Sequence, residues 1–138
     1  MKTLQLAGAL IMDDSDRLLV VRKKGSPYYM MPGGKVEVDE SPDQALKREL
    51  KEELNLEVEL DDLELVGCHQ TFAANEKGTL VYGTVFSVHV DNHDLLKPQA
   101  EIQELHWYTE QDYANFKSAH LLSEFTIPKW LEIIRQKK

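Results

Sequence analysis

From Ser41 to Asn55 the chain carries a helix whose two ends are both written into its residues. Ser41 is a capping residue, Pro42 suits the first helical position, and Gln44 stands where it completes a capping box. Asp43 puts negative charge in the first turn, at the positive end of the helix dipole. Asn55 stands where a residue in the left-handed conformation closes a helix. The spacing predicts a helix over Pro42–Leu54. At about 100° per residue its side chains divide into three stripes. Leu46, Leu50 and Leu54 should face a core. Lys47, Arg48 and Lys51 fall opposite. Ala45, Glu49, Glu52 and Glu53 lie beside the leucines. Glu49 meets Glu53 at i,i+4 and Glu52 at i,i+3, where like charges repel and weaken a helix. A helix wanting only stability would avoid this. An acidic helix face is most often simply solvated, but three carboxylates at a core edge also form the oxygen-rich set that a hard divalent cation needs.

The flanking residues narrow the choice. Gly34, Glu40, Arg48, Glu49, Leu50, Glu52, Glu53 and Leu56 follow a long pattern. It reads glycine, five residues, glutamate, seven residues, Arg-Glu-aliphatic, one residue, Glu-Glu, one residue, glycine, aliphatic. This stretch resembles the Nudix box, the signature of the Nudix hydrolases (MutT-like family), with Pro32-Gly33 as its usual lead-in. Every fixed position matches except the last glycine, which is Asn55. Asn is the best non-glycine occupant of left-handed space, so the departure touches the helix end and none of the carboxylates.

The resemblance implies an α/β Nudix fold, a mixed β-sheet sandwiched between α-helices. It implies hydrolysis of a nucleoside diphosphate linked to another moiety, of the nucleoside triphosphate, ADP-ribose or nucleotide sugar type. Such chemistry must neutralise diphosphate charge and orient and deprotonate a water, which divalent ions accomplish. Mg2+ is the expected cofactor, with Mn2+ suited to similar ligands. The resemblance assigns Glu52 and Glu53 as metal ligands and Glu49 as a third ligand or the base. It also assigns the backbone carbonyl of Gly34 to the metal. Glu40 and Arg48 are expected to pair and fix the loop against the helix, a structural role favoured over chemistry for both, although Arg48 is also counted with the catalytic residues. A distant carboxylate is expected from Glu101 or Glu104, with Glu101 preferred and Glu76 a weaker candidate. Tyr28 and Phe72 are candidate stacking residues for a base, since every base has a π face. Tyr29 and Tyr82 share that chemistry, and all four are more often ordinary packing. A catalytically silent Nudix-fold module that binds a nucleotide or a partner is the alternative, and it predicts a lost box carboxylate.

The rest of the chain fits one domain over residues 1–138. A net charge of −8 argues against a nucleic-acid duplex as partner. It leaves open a small phosphorylated substrate, because bound cations reverse the local sign. One cysteine, Cys68, excludes an internal disulfide and fits a reducing, cytoplasmic setting. Without a neighbour to lower its pKa it reads as a strand residue. No apolar run is long enough to cross a membrane. Leu6–Met12 runs into Asp13-Asp14-Ser15-Asp16, which suits a strand and turn better than a leader. Leu4–Met12 and Arg17–Arg22 read as strands, the second central because Leu18–Val21 is continuously apolar. Lys35–Val38, Glu57–Leu60, Leu63–Thr71, Thr79–Val90 and Leu105–Tyr108 read as further extended segments. Ala73–Gly78 is a turn and Asp91–Ala100 a polar loop. Thr109 should cap a short helix through Tyr113. A last helix should start at Ile127 or Pro128 and bury Trp130, Leu131, Ile133 and Ile134. The five histidines read as structural or surface residues. The accessory signatures of ADP-ribose, dinucleoside polyphosphate, coenzyme A and NADH hydrolases are absent, and no proline occurs between Pro42 and Pro98. A homodimer is expected from the family alone.

Overall fold

The computed structural model describes residues 2–73, 76–91 and 93–137. Parts of two expected loops, Ala74 and Asn75 in Ala73–Gly78 and Asn92 in Asp91–Ala100, lie outside the described residues.

The long apolar strands assemble into one mixed sheet. β1 (Lys2–Met12) runs parallel to β6 (Thr79–His89) from Lys2↔Thr79 to Met12↔His89. β5 (Glu64–Phe72) lies antiparallel on the other side of β6, with a bulge between Leu65 and Gly67. β2 (Leu18–Lys23) pairs antiparallel with β7 (Ile102–Tyr108), with the two-residue β3 (Tyr29–Met30), and with β1 through Met12↔Leu18. β4 (Gly33–Lys35) pairs with Leu6–Gly8 of β1.

Alternation along these strands explains the two helices. Ala7, Ala9 and Ile11 of β1 and Leu19 and Val21 of β2 pack with Leu46, Leu50 and Leu54 of α1 (Pro42–Leu54). On the opposite face, Leu10, Met12, Leu18 and Val20 pack with Trp130, Leu131 and Ile134 of α2 (Ile127–Gln136). Both faces are covered, so β2 has no polar side to show. That is the physical reason for its unbroken Leu-Leu-Val-Val run. The fold is α/β, a mixed sheet between two helices, as the resemblance implies. Among the described residues, no helix is long and apolar enough to cross a membrane.

The ends of α1 form as their residues dictate. The Ser41 N–H donates to Gln44 Oε1 at 3.0 Å, and Asn55 takes φ 58°, ψ 29°. The Asn55 N–H donates to the Lys51 carbonyl at 3.2 Å, the closing bond of an αL cap, and the Leu56 N–H reaches back to the Leu50 carbonyl at 3.2 Å.

Four expectations are corrected. Glu57–Leu60 is not a strand. Val58 is buried against α1 and its carbonyl accepts a hydrogen bond from Lys47 Nζ, so it has no ladder to join. A 3₁₀ turn over Leu60–Asp62 follows, closed by the Glu59 N–H on Asp62 Oδ2 at 2.9 Å. Strand pairing before α1 covers Gly33–Lys35 rather than Lys35–Val38, and Val38 is fully exposed. Thr109 forms a reciprocal turn with Asp112, followed only by a 3₁₀ turn over Tyr113–Asn115. Of the four residues assigned to the buried side of the last helix, Ile133 is only partly buried. A wide π-helical turn, Leu122–Thr126, leads directly into that helix.

Because Asn55 sits in left-handed space, Asn55→Ala should destabilise the protein by about 1 kcal/mol. Asn55→Gly should match or slightly exceed the parent. Midpoints of urea unfolding with unchanged slopes would establish both.

Candidate active site

The site is built where the acidic stripe of α1 meets β4. Gly33 lies so close to β1 that a Cβ there would sit 2.1 Å from the Ala7 carbonyl oxygen, and its φ is +145°. Only glycine permits this approach. Gly34 lies against the helix, where a Cβ would fall 2.4 Å from Glu49 Cδ. The two glycines therefore press bare backbone onto the carboxylates.

Glu53 is 3% exposed. Its Oε1 accepts one hydrogen bond, from the Gly33 N–H at 3.0 Å. Burial pushes its carboxyl up to about 7, reinforced by the charges of Glu49 and Glu101 and opposed by the Gly33 N–H and by Lys23. Glu49 is also raised by burial, against the pull of Arg48. Arg48 Nη1 lies 2.7 Å from Glu49 Oε1 and 3.6 Å from Glu52 Oε2. The same guanidinium grips both oxygens of Glu40, at 2.7 and 2.8 Å, and donates to the Lys35 carbonyl at 3.1 Å. The Arg48 hydrogen bonds hold the Glu40 carboxyl down at about 2. The expected Glu40–Arg48 pair is thus present, and Arg48 curls back over the acidic stripe instead of pointing away from it.

The loop before β7 closes the C-terminal end of α1. The Gln99 N–H donates to the Glu53 carbonyl at 2.9 Å. The Gln99 Nε2 donates to the carbonyls of Glu52 and Lys51, at 3.1 and 3.3 Å. This brings Glu101 close enough for its charge to act on Glu53. Lys23, at the end of β2, pairs with Glu101 at 3.0 Å. Glu104 is committed elsewhere, to Arg22 Nε at 2.5 Å and the Tyr29 hydroxyl at 2.9 Å, and the Arg22 hydrogen bond lowers its pKa. Glu76 pairs with Lys2 at 3.9 Å.

A cleft of about 220 Å³ opens beside the glycines. Leu4, Leu6, Met31, Val81 and Leu121 supply apolar wall, and Lys23, Gly33 and Gly34 join it to the carboxylates. Phe72 lines it and is 56% exposed. Tyr28 does not line this cleft. It lies in the loop before β3, with its N–H on Ser26 Oγ at 3.1 Å. Nor does Tyr29, which packs edge-on against Phe116. Sequence reasoning missed Lys23, Gln99 and His120. His120 lines the cleft and donates Nδ1–H to the Phe72 carbonyl at 2.7 Å. None of the three carries a local signal, because each reaches the site through strand register or loop path.

The donor set fits a hard divalent cation. All its donors are oxygen, and among the described residues Glu53 is a buried carboxylate with one hydrogen bond and no cation in direct contact. Burying such a group is unfavourable unless something compensates it.

The NUDIX domain model matches residues 3–127. The chain belongs to the Nudix family. An 8-oxo-dGTP diphosphatase from Escherichia coli K12 is 35% identical over 60 residues, which cover 41% of this chain and 46% of that protein. The chain spans less than half the length of curated relatives it matches. The solution structure of the E. coli ORF135 protein superposes with a TM-score of 0.68 at 28% identity, covering 99% of this chain and 92% of that one. A MutT protein from Methanosarcina mazei Go1 superposes with a TM-score of 0.76 at 20% identity, covering 99% and 96%, which speaks to the fold.

Folded Glu53 holds its proton to about pH 7, whereas an ordinary glutamate releases it near 4.5. In chelator, its contribution therefore favours the folded state fully below about pH 4.5 and fades as pH rises through 7. Glu53→Gln should match the parent near pH 4.5 and exceed its stability at pH 8 by on the order of 2–3 kcal/mol. Chemical denaturation of both proteins across pH checks this.

Proposed function

We propose that residues 1–138 form one Nudix domain that hydrolyses the diphosphate linkage of a nucleoside diphosphate joined to another group. The observation that carries this reading is the buried Glu53 carboxylate, set beside Glu49 and Glu52 on α1 and against the bare backbone of Gly33 and Gly34. Glu52, Glu53 and the Gly34 carbonyl would hold Mg2+ or Mn2+, with Glu49 as a further ligand or as the base. The cation supplies charge neutralisation on the diphosphate and makes a water easier to deprotonate. Glu49 suits the role of base because burial already raises its affinity for a proton. Arg48 is a positioning residue, holding Glu49 and Glu52 against a loop it also anchors through Glu40. Glu101 is the better distal carboxylate because both Arg22 and Tyr29 engage Glu104. The apolar cleft, with Phe72 at hand for stacking, suits the nucleoside. All the box carboxylates are present, so the silent module has nothing in its favour.

Phosphate or nucleotide release would be measured on nucleoside triphosphates, deoxynucleoside triphosphates, ADP-ribose, nucleotide sugars and dinucleoside polyphosphates, with Mg2+, Mn2+ or chelator. Turnover should need the metal and should fall by about 100-fold in Glu53→Gln. Undiminished turnover by that variant would overturn the reading. Phe72→Ala should raise KM for the best substrate about tenfold with little change in kcat, the effect of losing one stacking contact.

A further inference from the structure

Glu49, Glu52, Glu53 and Glu101 crowd one corner of the molecule, and among the described residues two cationic side chains contact them. The two are held very differently. Arg48 is clamped by both oxygens of Glu40 and by the Lys35 carbonyl, so it stays in place whatever happens at the carboxylates. Lys23 makes a single ion pair, to Glu101 at 3.0 Å, and both partners are substantially exposed. Its charge also acts on Glu49 and Glu53. A lone exposed pair of this kind is weak and breaks readily. The lysine ammonium is a compact charge on a flexible four-carbon stem, able to move between oxygen partners without moving its backbone. The Lys23 backbone ends β2, next to a register shift at Arg22/Lys23, and the residue lines the cleft with Gly33 and Gly34. An ammonium and a divalent ion cannot both take the same Glu101 oxygen, and the divalent ion carries twice the charge.

We propose that Lys23 is the exchangeable counter-ion of this site. It holds Glu101 while the carboxylates lack a divalent ion, is displaced when one binds, and then rests on a non-bridging oxygen of the substrate's diphosphate. This rests on the metal-dependent reading above. Lys23 thereby opposes metal binding and favours substrate binding, two effects of opposite sign from one side chain. A purely structural lysine would produce neither.

Calorimetric Mn2+ binding to the full chain, without substrate, tests the exchange in the parent, Lys23→Gln, Glu101→Gln and the double variant. Lys23→Gln should bind Mn2+ about three- to tenfold more tightly. That gain should shrink to under about twofold in the Glu101→Gln background, because the partner it competes for is gone. With the best substrate and saturating Mn2+, Lys23→Gln should raise KM about tenfold and change kcat less. Mn2+ affinity that is unchanged or weaker in Lys23→Gln, or an equal gain with Glu101→Gln, overturns the exchange. An unchanged KM overturns the substrate contact. A parent that binds no Mn2+ overturns the hydrolase reading as well, whereas a parent that binds Mn2+ with no effect of Lys23 overturns this proposal alone.

Discussion

One hydrogen bond, from the Gly33 N–H to the buried carboxylate of Glu53, joins the two halves of this molecule that matter most. It ties α1 to β4, and β4 is itself laid on β1 at a distance that only glycine allows. Remove the tight packing at Gly33 and the Glu53 carboxylate loses the donor that partly offsets its burial. Leave it, and the chain must carry a carboxyl whose pKa is raised by about the full span from an ordinary glutamate to neutrality. The site is therefore a place where stability has been given up, which is the usual physical mark of function in an otherwise consistent fold.

The surroundings keep that local disadvantage tolerable. Leu46, Leu50 and Leu54 anchor the helix into one core and the π-turn–α2 segment seals the other. Gln99 caps carbonyls at the end of α1, and Arg48 collects Glu37, Glu40, Glu49 and Glu52 around one guanidinium. In a chain of net charge −8, such cation sharing is what lets several carboxylates stand together. A fixed arginine and a movable lysine divide this task between permanence and exchange.

What was legible in the sequence was what local chemistry decides. The caps of α1, its three stripes and the left-handed Asn55 follow from neighbours along the chain. The apolar run of β2 also announced that both its faces are covered. Val58 was misread because it looks like a strand residue and is in fact a plug beneath α1, a difference only tertiary packing can make. The proposed preference for Glu101 rests on Arg22 and Tyr29 engaging Glu104, partners 82 and 75 residues away from it. Lys23 and His120 had no motif at all, because strand register and the approach to α2 carry them to the cleft. Tyr28 shows the converse, an aromatic near the site in sequence that faces elsewhere in space.

The parallel pairing of β1 with β6 reaches further than the resting structure. β1 supplies residues to both cores, yet its main hydrogen-bonding partner ends only at His89, and Gln99 and Glu101 come later still. During synthesis the first strand must wait, with its ladder edge unfilled, until more than half of the chain has emerged. Such distant contacts slow folding and lengthen the time that an apolar edge stays open to other chains. The helix bearing Glu49, Glu52 and Glu53 can form early from its own caps, but Glu101 can join them only once the chain beyond β6 has been made.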